Sequence, residues 1–249
     1  EIANDVKSKG HMILNFHPIG LPRSYYINSQ NIKKHKNKFD KIKETHKLVV
    51  CFDNPLLDYF YNGIYPFRLD EERKYDFYRN IIYLAKEYPK IYFVIKPKVL
   101  KSNNGAEELI LKNIESESCE IKNFEVIKNY KKYKTYKLAS QADLIIGKYS
   151  TIMLECFAAK KKVLIYDEIF ENYKFFLSEI NIVESSFEGL KKRFFEVIER
   201  NNYLKEKEWM DFGEKYFFNF KSGINGFQLI KKNIQKIFDE NKLLSDTKL

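Results

Sequence analysis

Ser150 and Thr151 stand between an apolar run, Leu144-Ile145-Ile146-Gly147, and a segment, Ile152-Met153-Leu154-Glu155, that reads as the start of a helix. A buried strand, a tight turn carrying two hydroxyls and a helix that begins at those hydroxyls make an anion-binding arrangement. First-turn N–H groups of a helix lack internal partners and lie at the positive end of its macrodipole, so phosphate placed there meets several donors. Glu155 follows one turn along the same face, where its carboxylate can accept hydrogen bonds from a sugar or ribose. Ser and Thr are also favoured caps in any protein, and a capping pair followed by a solvated Glu has the same spacing. The residues leave both readings open.

A second group is Phe93-Val94-Ile95-Lys96-Pro97-Lys98. A strand delivers two lysines around a proline that ends it and fixes the backbone. Ammonium groups there can neutralise a diphosphate, and a departing nucleotide gathers negative charge in the transition state. A solvated Lys-Pro-Lys turn is the alternative. Lys148, Asp53 and the pair Asp167-Glu168 also lie just past strand ends. Asp53 reads as a cleft residue or as the cap of a turn beside Pro55. Adjacent carboxylates such as Asp167 and Glu168 diverge on extended chain, which suits holding a ribose better than flanking a glycosidic bond.

The elements that must position these residues alternate along the chain. Strands are expected at Leu48–Phe52, Ile91–Lys96, Phe124–Ile127, Asp143–Gly147, Lys162–Tyr166 and, more weakly, Ile182–Glu184. Helices are expected at about Asp70–Glu87, Ala106–Ile114, Lys132–Gln141 and Thr151–Ala159. Runs such as Val49-Val50-Cys51-Phe52 imply strands buried on both faces, the mark of a parallel sheet covered by helices. Alternation of strand and helix then predicts an α/β fold, a Rossmann-like parallel sheet whose ligands gather beyond the carboxyl ends of the strands. The Lys96 and Ser150 groups are expected at adjacent strand ends. After Glu184 the pattern turns helical, with candidates at Phe187–Arg200, Lys205–Tyr216 and Gly226–Glu240, a helical C-terminal extension.

Length and composition bound the function classes. A chain of 249 residues with 44% hydrophobic residues can bury a real core, which argues against disorder. The formal charge of +10 favours anionic partners, although abundant lysine across the whole chain dilutes that signal. Cys51, Cys119 and Cys156 show no metal or disulfide spacing and read as reduced thiols of a cytoplasmic protein. No apolar run approaches the roughly eighteen residues a membrane span needs, so the expected membrane contact is at most peripheral, at the cytoplasmic face. His11, His17, His35 and His46 lack ligand spacing, and no metal is expected. Neither a P-loop nor a G-x-G-x-x-G follows any strand, which disfavours kinase-like and nicotinamide chemistry.

Three short motifs in order give the chain a resemblance. Gly20-Leu21-Pro22-Arg23, then Ile95-Lys96-Pro97-Lys98, then Lys148-Tyr149-Ser150-Thr151 are similar to the motifs of GT-B surface-polymer transferases. The likeness is to the nucleotide-binding C-terminal half of teichoic-acid CDP-glycerol glycerophosphotransferases and related capsular polysaccharide transferases. That family carries a histidine before its motif proline, absent here, so the phosphate contact would fall to Lys96 or Lys98. Gly147-Lys148 replaces its acidic lead into the serine turn. The resemblance implies a remnant of an acceptor domain and linker over 1–45, a donor-binding domain over 46–200 and C-terminal helices over 201–249. It further implies transfer of a sugar or glycerophosphate from a CMP-, CDP- or UDP-linked donor to a polysaccharide or lipid-linked acceptor. Lys96, Lys98, Lys148, Ser150, Thr151, Glu155 and Asp167 would bind the donor, without a cofactor, and His17 and Asp53 are the candidates for catalysis. One rival is an RNA-binding module using the interleaved lysines and tyrosines of Tyr130–Lys137, for which a surface helix is the plainer reading, so no nucleic acid partner is expected. Another is a nucleotide-sugar epimerase of related fold, for which the expected carboxylate and histidine set is missing.

Overall fold

The computed structural model describes residues 27, 37–54, 71–98, 100, 105–129, 133–168, 179–217 and 234–235. The strand expected at Met12–Phe16, the Gly20–Arg23 motif, His17 and nearly all of the helix expected at Gly226–Glu240 lie outside the described residues.

The described elements run α1 (Lys38–Ile42), β1 (Lys47–Phe52), α2 (Glu71–Glu87), β2 (Ile91–Lys96), α3 (Ala106–Ser118), β3 (Phe124–Val126), α4 (Thr135–Gln141), β4 (Leu144–Gly147), α5 (Thr151–Ala158), β5 (Val163–Tyr166), β6 (Val183–Glu184), α6 (Phe187–Ile198) and α7 (Glu206–Tyr216). Six parallel strands form one sheet in the order β3-β2-β1-β4-β5-β6. The chain leaves β1 in one direction through β2 and β3, then returns to lay β4 on the other side of β1. That reversal opens a crevice beyond the carboxyl ends of the central strands, the usual ligand position in such sheets.

One expectation needs correction here: β2 and β4 are not neighbours. Both pair with β1, where Phe52 aligns with Lys96 on one side and Gly147 on the other. The two motifs therefore stand two inter-strand spacings apart, about 10 Å at ~4.8 Å each. The end of β1 lies between them.

Burial explains why these segments form strands. Leu48 to Phe52, and all of β4 and β5, are buried, so their apolar side chains pack on both sheet faces. α3 runs to Ser118 and outlasts the stretch read from the sequence, because its apolar stripe of Ala106, Ile110, Leu111 and Ile114 ends before the helix does. α4 begins at Thr135 rather than Lys132. In the lysine-rich opening, α1 contributes one core side chain: Phe39 is fully buried, edge-on to Tyr92 and Tyr133, below an Asn37/Asp40 capping box. At the other end, Phe212 of α7 and Trp209 pack on Phe157 of α5. The Tyr203 hydroxyl donates to Val163 O and accepts from Val163 N–H, both at 3.0 Å. Arg193, also buried, donates to the carbonyls of Asn181, Asn202 and Tyr203. Cys51 and Cys156 are buried and Cys119 is exposed.

Candidate functional site

A cleft of about 370 Å³ opens at the carboxyl ends of β1 and β2 and the start of α5, lined by Asp53, Lys96, Lys98, Tyr136, Ser150 and Glu155 among others. Gly147 ends β4 three residues before Ser150. A Cβ at that position would stand 2.6 Å from the Phe52 carbonyl oxygen and 2.8 Å from Met153 Sδ. Only glycine lets β4 end this close to both β1 and the first turn of α5.

Ser150 is the N-cap residue of α5 by backbone, with φ −163° and ψ 163°, yet its side chain makes no capping bond. Its Oγ is buried and has no hydrogen-bond partner. The plain capping role is thus absent from the geometry: a hydroxyl and an uncapped helix start sit together on the cleft wall. Thr151, the first helical residue, is exposed beside it.

Across the cleft, Lys96 is buried at the end of β2 and Lys98 is exposed one turn residue later. Burial pushes the Lys96 ammonium's pKa below its ordinary value, an effect that nearby Asp53 partly offsets. Asp53 itself is engaged on both oxygens. Oδ1 accepts from the Lys98 backbone N–H at 2.5 Å, and Oδ2 accepts from the Tyr78 hydroxyl at 2.8 Å and pairs with Lys74 Nζ at 2.8 Å. A carboxylate held in this way anchors the Lys-Pro-Lys turn to β1. It is badly placed to move protons for a substrate.

Glu155 is buried on α5 and its Oε2 accepts from the Tyr136 hydroxyl at 3.0 Å. Tyr136 and Thr135 open α4, so two helix starts border the same cleft. Tyr136 and Tyr133 both belong to the stretch that suggested stacking on RNA. Tyr133 is buried against Phe39 and Tyr136 turns to Glu155, so neither ring stands out as a stacking platform.

Two of the predicted donor residues go elsewhere. Lys148 is fully buried outside the cleft lining, ion-paired with Glu168 and with Nζ 4.9 Å from the Tyr166 ring centroid and 5.7 Å from that of Phe77. Chain leaving a strand alternates sides, and the residue after Gly147 falls toward β5 and α2. Asp167 is buried at the end of β5, one strand beyond the cleft, where its backbone N–H donates to Glu184 O at 2.9 Å. Asp53, Lys96, Lys98, Ser150, Thr151 and Glu155 all line the cleft.

Sequence reasoning missed the cations and acids beneath this rim. Lys74 on α2 and Glu107 on α3 are both fully buried. Lys74 stands three and four residues before Phe77 and Tyr78, and Glu107 three and four before Ile110 and Leu111, so each occupies a core-facing position of its helix. Opposite charges on the apolar faces of two consecutive helices were the available signal.

No family model matches the chain, and no curated protein matches it. Solved structures do resemble it. The UDP-GlcNAc 2-epimerase from Neisseria meningitidis bound to UDP-GlcNAc superposes with a TM-score of 0.53 and 18% identity, over 96% of this chain and 58% of that one. The S. aureus MnaA–UDP co-structure gives 0.54 and 15%, over 88% and 53%. A variant of the wall teichoic acid polymerase TagF gives 0.50 and 16%, over 88% and 51%. The chain spans little more than half the length of these structures. With its six-stranded parallel sheet, it has the Rossmann-like α/β fold of the GT-B architecture, the fold implied by the resemblance to the surface-polymer transferases.

Proposed function

We propose that this chain is the donor-binding part of an enzyme that uses a nucleotide-activated sugar or glycerophosphate. The observation that carries the reading is the convergence on one cleft of an uncapped helix start, a partnerless Ser150 hydroxyl, and Lys96 and Lys98 on the facing wall. Helix-terminal N–H groups and two ammoniums suit a diphosphate, and Glu155 beyond them suits the hydroxyls of a ribose or sugar. UDP in one structural neighbour and UDP-GlcNAc in another support a nucleotide-linked ligand.

The activity we infer is transfer of the sugar or glycerophosphate to an acceptor hydroxyl in surface-polysaccharide synthesis. The bond from the donor group to the nucleotide's phosphate oxygen breaks, a bond to the acceptor oxygen forms, and the acceptor proton leaves to a base that the described residues do not supply. This chain's share is to hold the donor and to spread the charge of the leaving nucleotide over Lys96, Lys98 and the α5 amides. The positive groups of the cleft are sufficient for that share without a metal. The likeness to UDP-GlcNAc 2-epimerases favours a second reading, epimerisation of the donor sugar while the same cleft holds its nucleotide.

Isothermal titration with UDP, CDP and CMP tests the binding step. The Ser150→Ala/Thr151→Ala double variant is expected to lose well over tenfold in affinity for whichever nucleotide binds. Unchanged affinity, or no binding by the parent chain, removes the proposed site. Where a nucleotide binds, incubation with its labelled sugar separates the readings, since an epimer of the donor points to the second and transfer to an added acceptor to the first.

A further inference from the structure

Lys74 plays no part in donor binding as described above, yet its ammonium holds both residues that follow β1 at the edge of the cleft. It pairs with Asp53 Oδ2 at 2.8 Å, donates to the Asn54 carbonyl at 3.0 Å, and meets Glu107 Oε1 at 2.8 Å and Oε2 at 2.6 Å. The two residues it holds on β1's end each reach a different wall. Asp53 Oδ1 accepts from the Lys98 N–H at 2.5 Å, which fixes the Lys-Pro-Lys turn. Asn54 Nδ2 donates to Tyr149 O at 3.1 Å, which fixes the turn leading into Ser150.

We infer that Lys74 is a positioning residue of the donor cleft, one buried ammonium that sets the spacing between its Lys98 and Ser150 walls through Asp53 and Asn54. The inference rests on the donor-binding reading for its ligand, though not for its geometry. β2 and β4 each pair with β1 as far as Phe52, so beyond that ladder the placement of the two phosphate-facing turns depends on what ties each to the residues that follow β1. Asp53 and Asn54 are those joints, and Lys74 binds both. A buried ion pair adds little net stability over a well-packed apolar replacement, whereas it does fix the direction of the groups it pairs. Lys74 also sits between two carboxylates, and Asp53 in turn acts on Lys96, so the same network sets the field felt by a cationic group of the cleft.

The test separates geometry from stability. In Lys74→Met/Glu107→Leu an apolar pair of similar volume replaces the ammonium and its far partner, so the net buried charge is unchanged, and Asp53, which loses its ion pair, keeps its bonds from the Tyr78 hydroxyl and the Lys98 N–H. Arg193→Met, which removes a buried cation remote from the cleft, is the control for stability alone. With UDP and CDP as probes, the double variant is expected to bind at least tenfold more weakly, and the control within twofold of the parent. Amide exchange at Lys98 should quicken in the double variant only. Parent-like affinity and parent-like Lys98 exchange in a folded double variant overturn the inference. If the parent binds neither nucleotide, the donor reading fails, and the Lys98 exchange rate still decides the positioning role. Should the double variant not fold, Asn54→Ala cuts one arm with no buried charge altered. A three- to tenfold loss of affinity is then expected, and parent-like binding overturns the inference.

Discussion

Tyr136 donates its hydroxyl to Glu155 Oε2 at 3.0 Å, joining the first turn of α4 to the second turn of α5 across the mouth of the cleft. The two helices flank β4 at its two ends in sequence, so this bond couples the segment entering the strand with the one leaving it. It also helps to orient a buried carboxylate.

Removing that hydroxyl should therefore be felt twice. Tyr136→Phe deletes a hydrogen bond to a carboxylate and is expected to cost roughly 1–3 kcal/mol in a denaturant titration. Donor affinity should fall as well, and the fall should match that of Glu155→Gln if both act through the same oxygen. A double variant no weaker than either single one would show the coupling.

Ser150 and Ser186 occupy the same backbone position at the starts of α5 and α6 but behave differently. Ser186 Oγ accepts from Gly189 N–H at 3.1 Å, whereas the Ser150 side chain caps nothing. Ser186→Ala is expected to lose about 1 kcal/mol, the usual loss on deleting a cap. Ser150→Ala should cost nothing or raise stability slightly, because it removes a buried hydroxyl without a partner. Paired thermal melts read this directly. A loss at Ser150 equal to that at Ser186 would restore the capping role and weaken the case for a ligand.

The burial of Lys96 has a consequence in pH. Its pKa lies below the ordinary lysine value in the free protein, and a bound phosphate would raise it. Below the lowered value the ammonium is already present and affinity is flat. Above it binding must take up a proton, so UDP affinity is expected to fall with rising pH earlier than an ordinary lysine would dictate. Stability moves the opposite way. The unfolded chain holds this proton to higher pH than the folded one, so Lys96 makes folding more favourable as pH climbs from the lowered value toward about 10.4. Titration calorimetry in buffers of different ionisation enthalpy counts the proton, and Lys96→Met should abolish the affinity trend and reduce the stability trend, to which half-buried Lys161 and Lys162 add with the same sign.

Much of this was legible in the sequence, for reasons that particular residues make plain. Ile91–Lys96 is the strand the residues predict, because buried parallel strands are continuous apolar runs closed by a charge and a proline. Lys96, Lys98, Ser150 and Thr151 share a cleft because residues just past strand ends are driven to one rim. Which side of the rim was not legible. Lys148 lies at a strand end as Lys96 does, yet it turns to Tyr166 and Phe77, and only the stacking of Phe77 of α2 on Tyr166 of β5 decides that. Tyr136 escaped notice for a related reason: it acts on Glu155, nineteen residues on and across β4, a contact with no local trace.

Gly147 offers the most direct probe of how the sheet shapes the cleft. Alanine there would place a methyl group 2.6 Å from the Phe52 carbonyl oxygen, a backbone atom that cannot swing aside, and 2.8 Å from Met153 Sδ, the sulfur of a flexible side chain. The methionine can yield, so the strain falls on the pairing of β4 with β1. Gly147→Ala is expected to destabilise the fold by about 1–3 kcal/mol, the range for overpacking a tight interior. Because the displaced segment leads within three residues to Ser150, nucleotide affinity should drop beyond what the fraction unfolded explains. Gly147→Ala combined with Met153→Ala tests which contact matters. If the backbone clash governs, opening space at Met153 leaves both losses in place, and recovery of either would assign the strain to the sulfur instead.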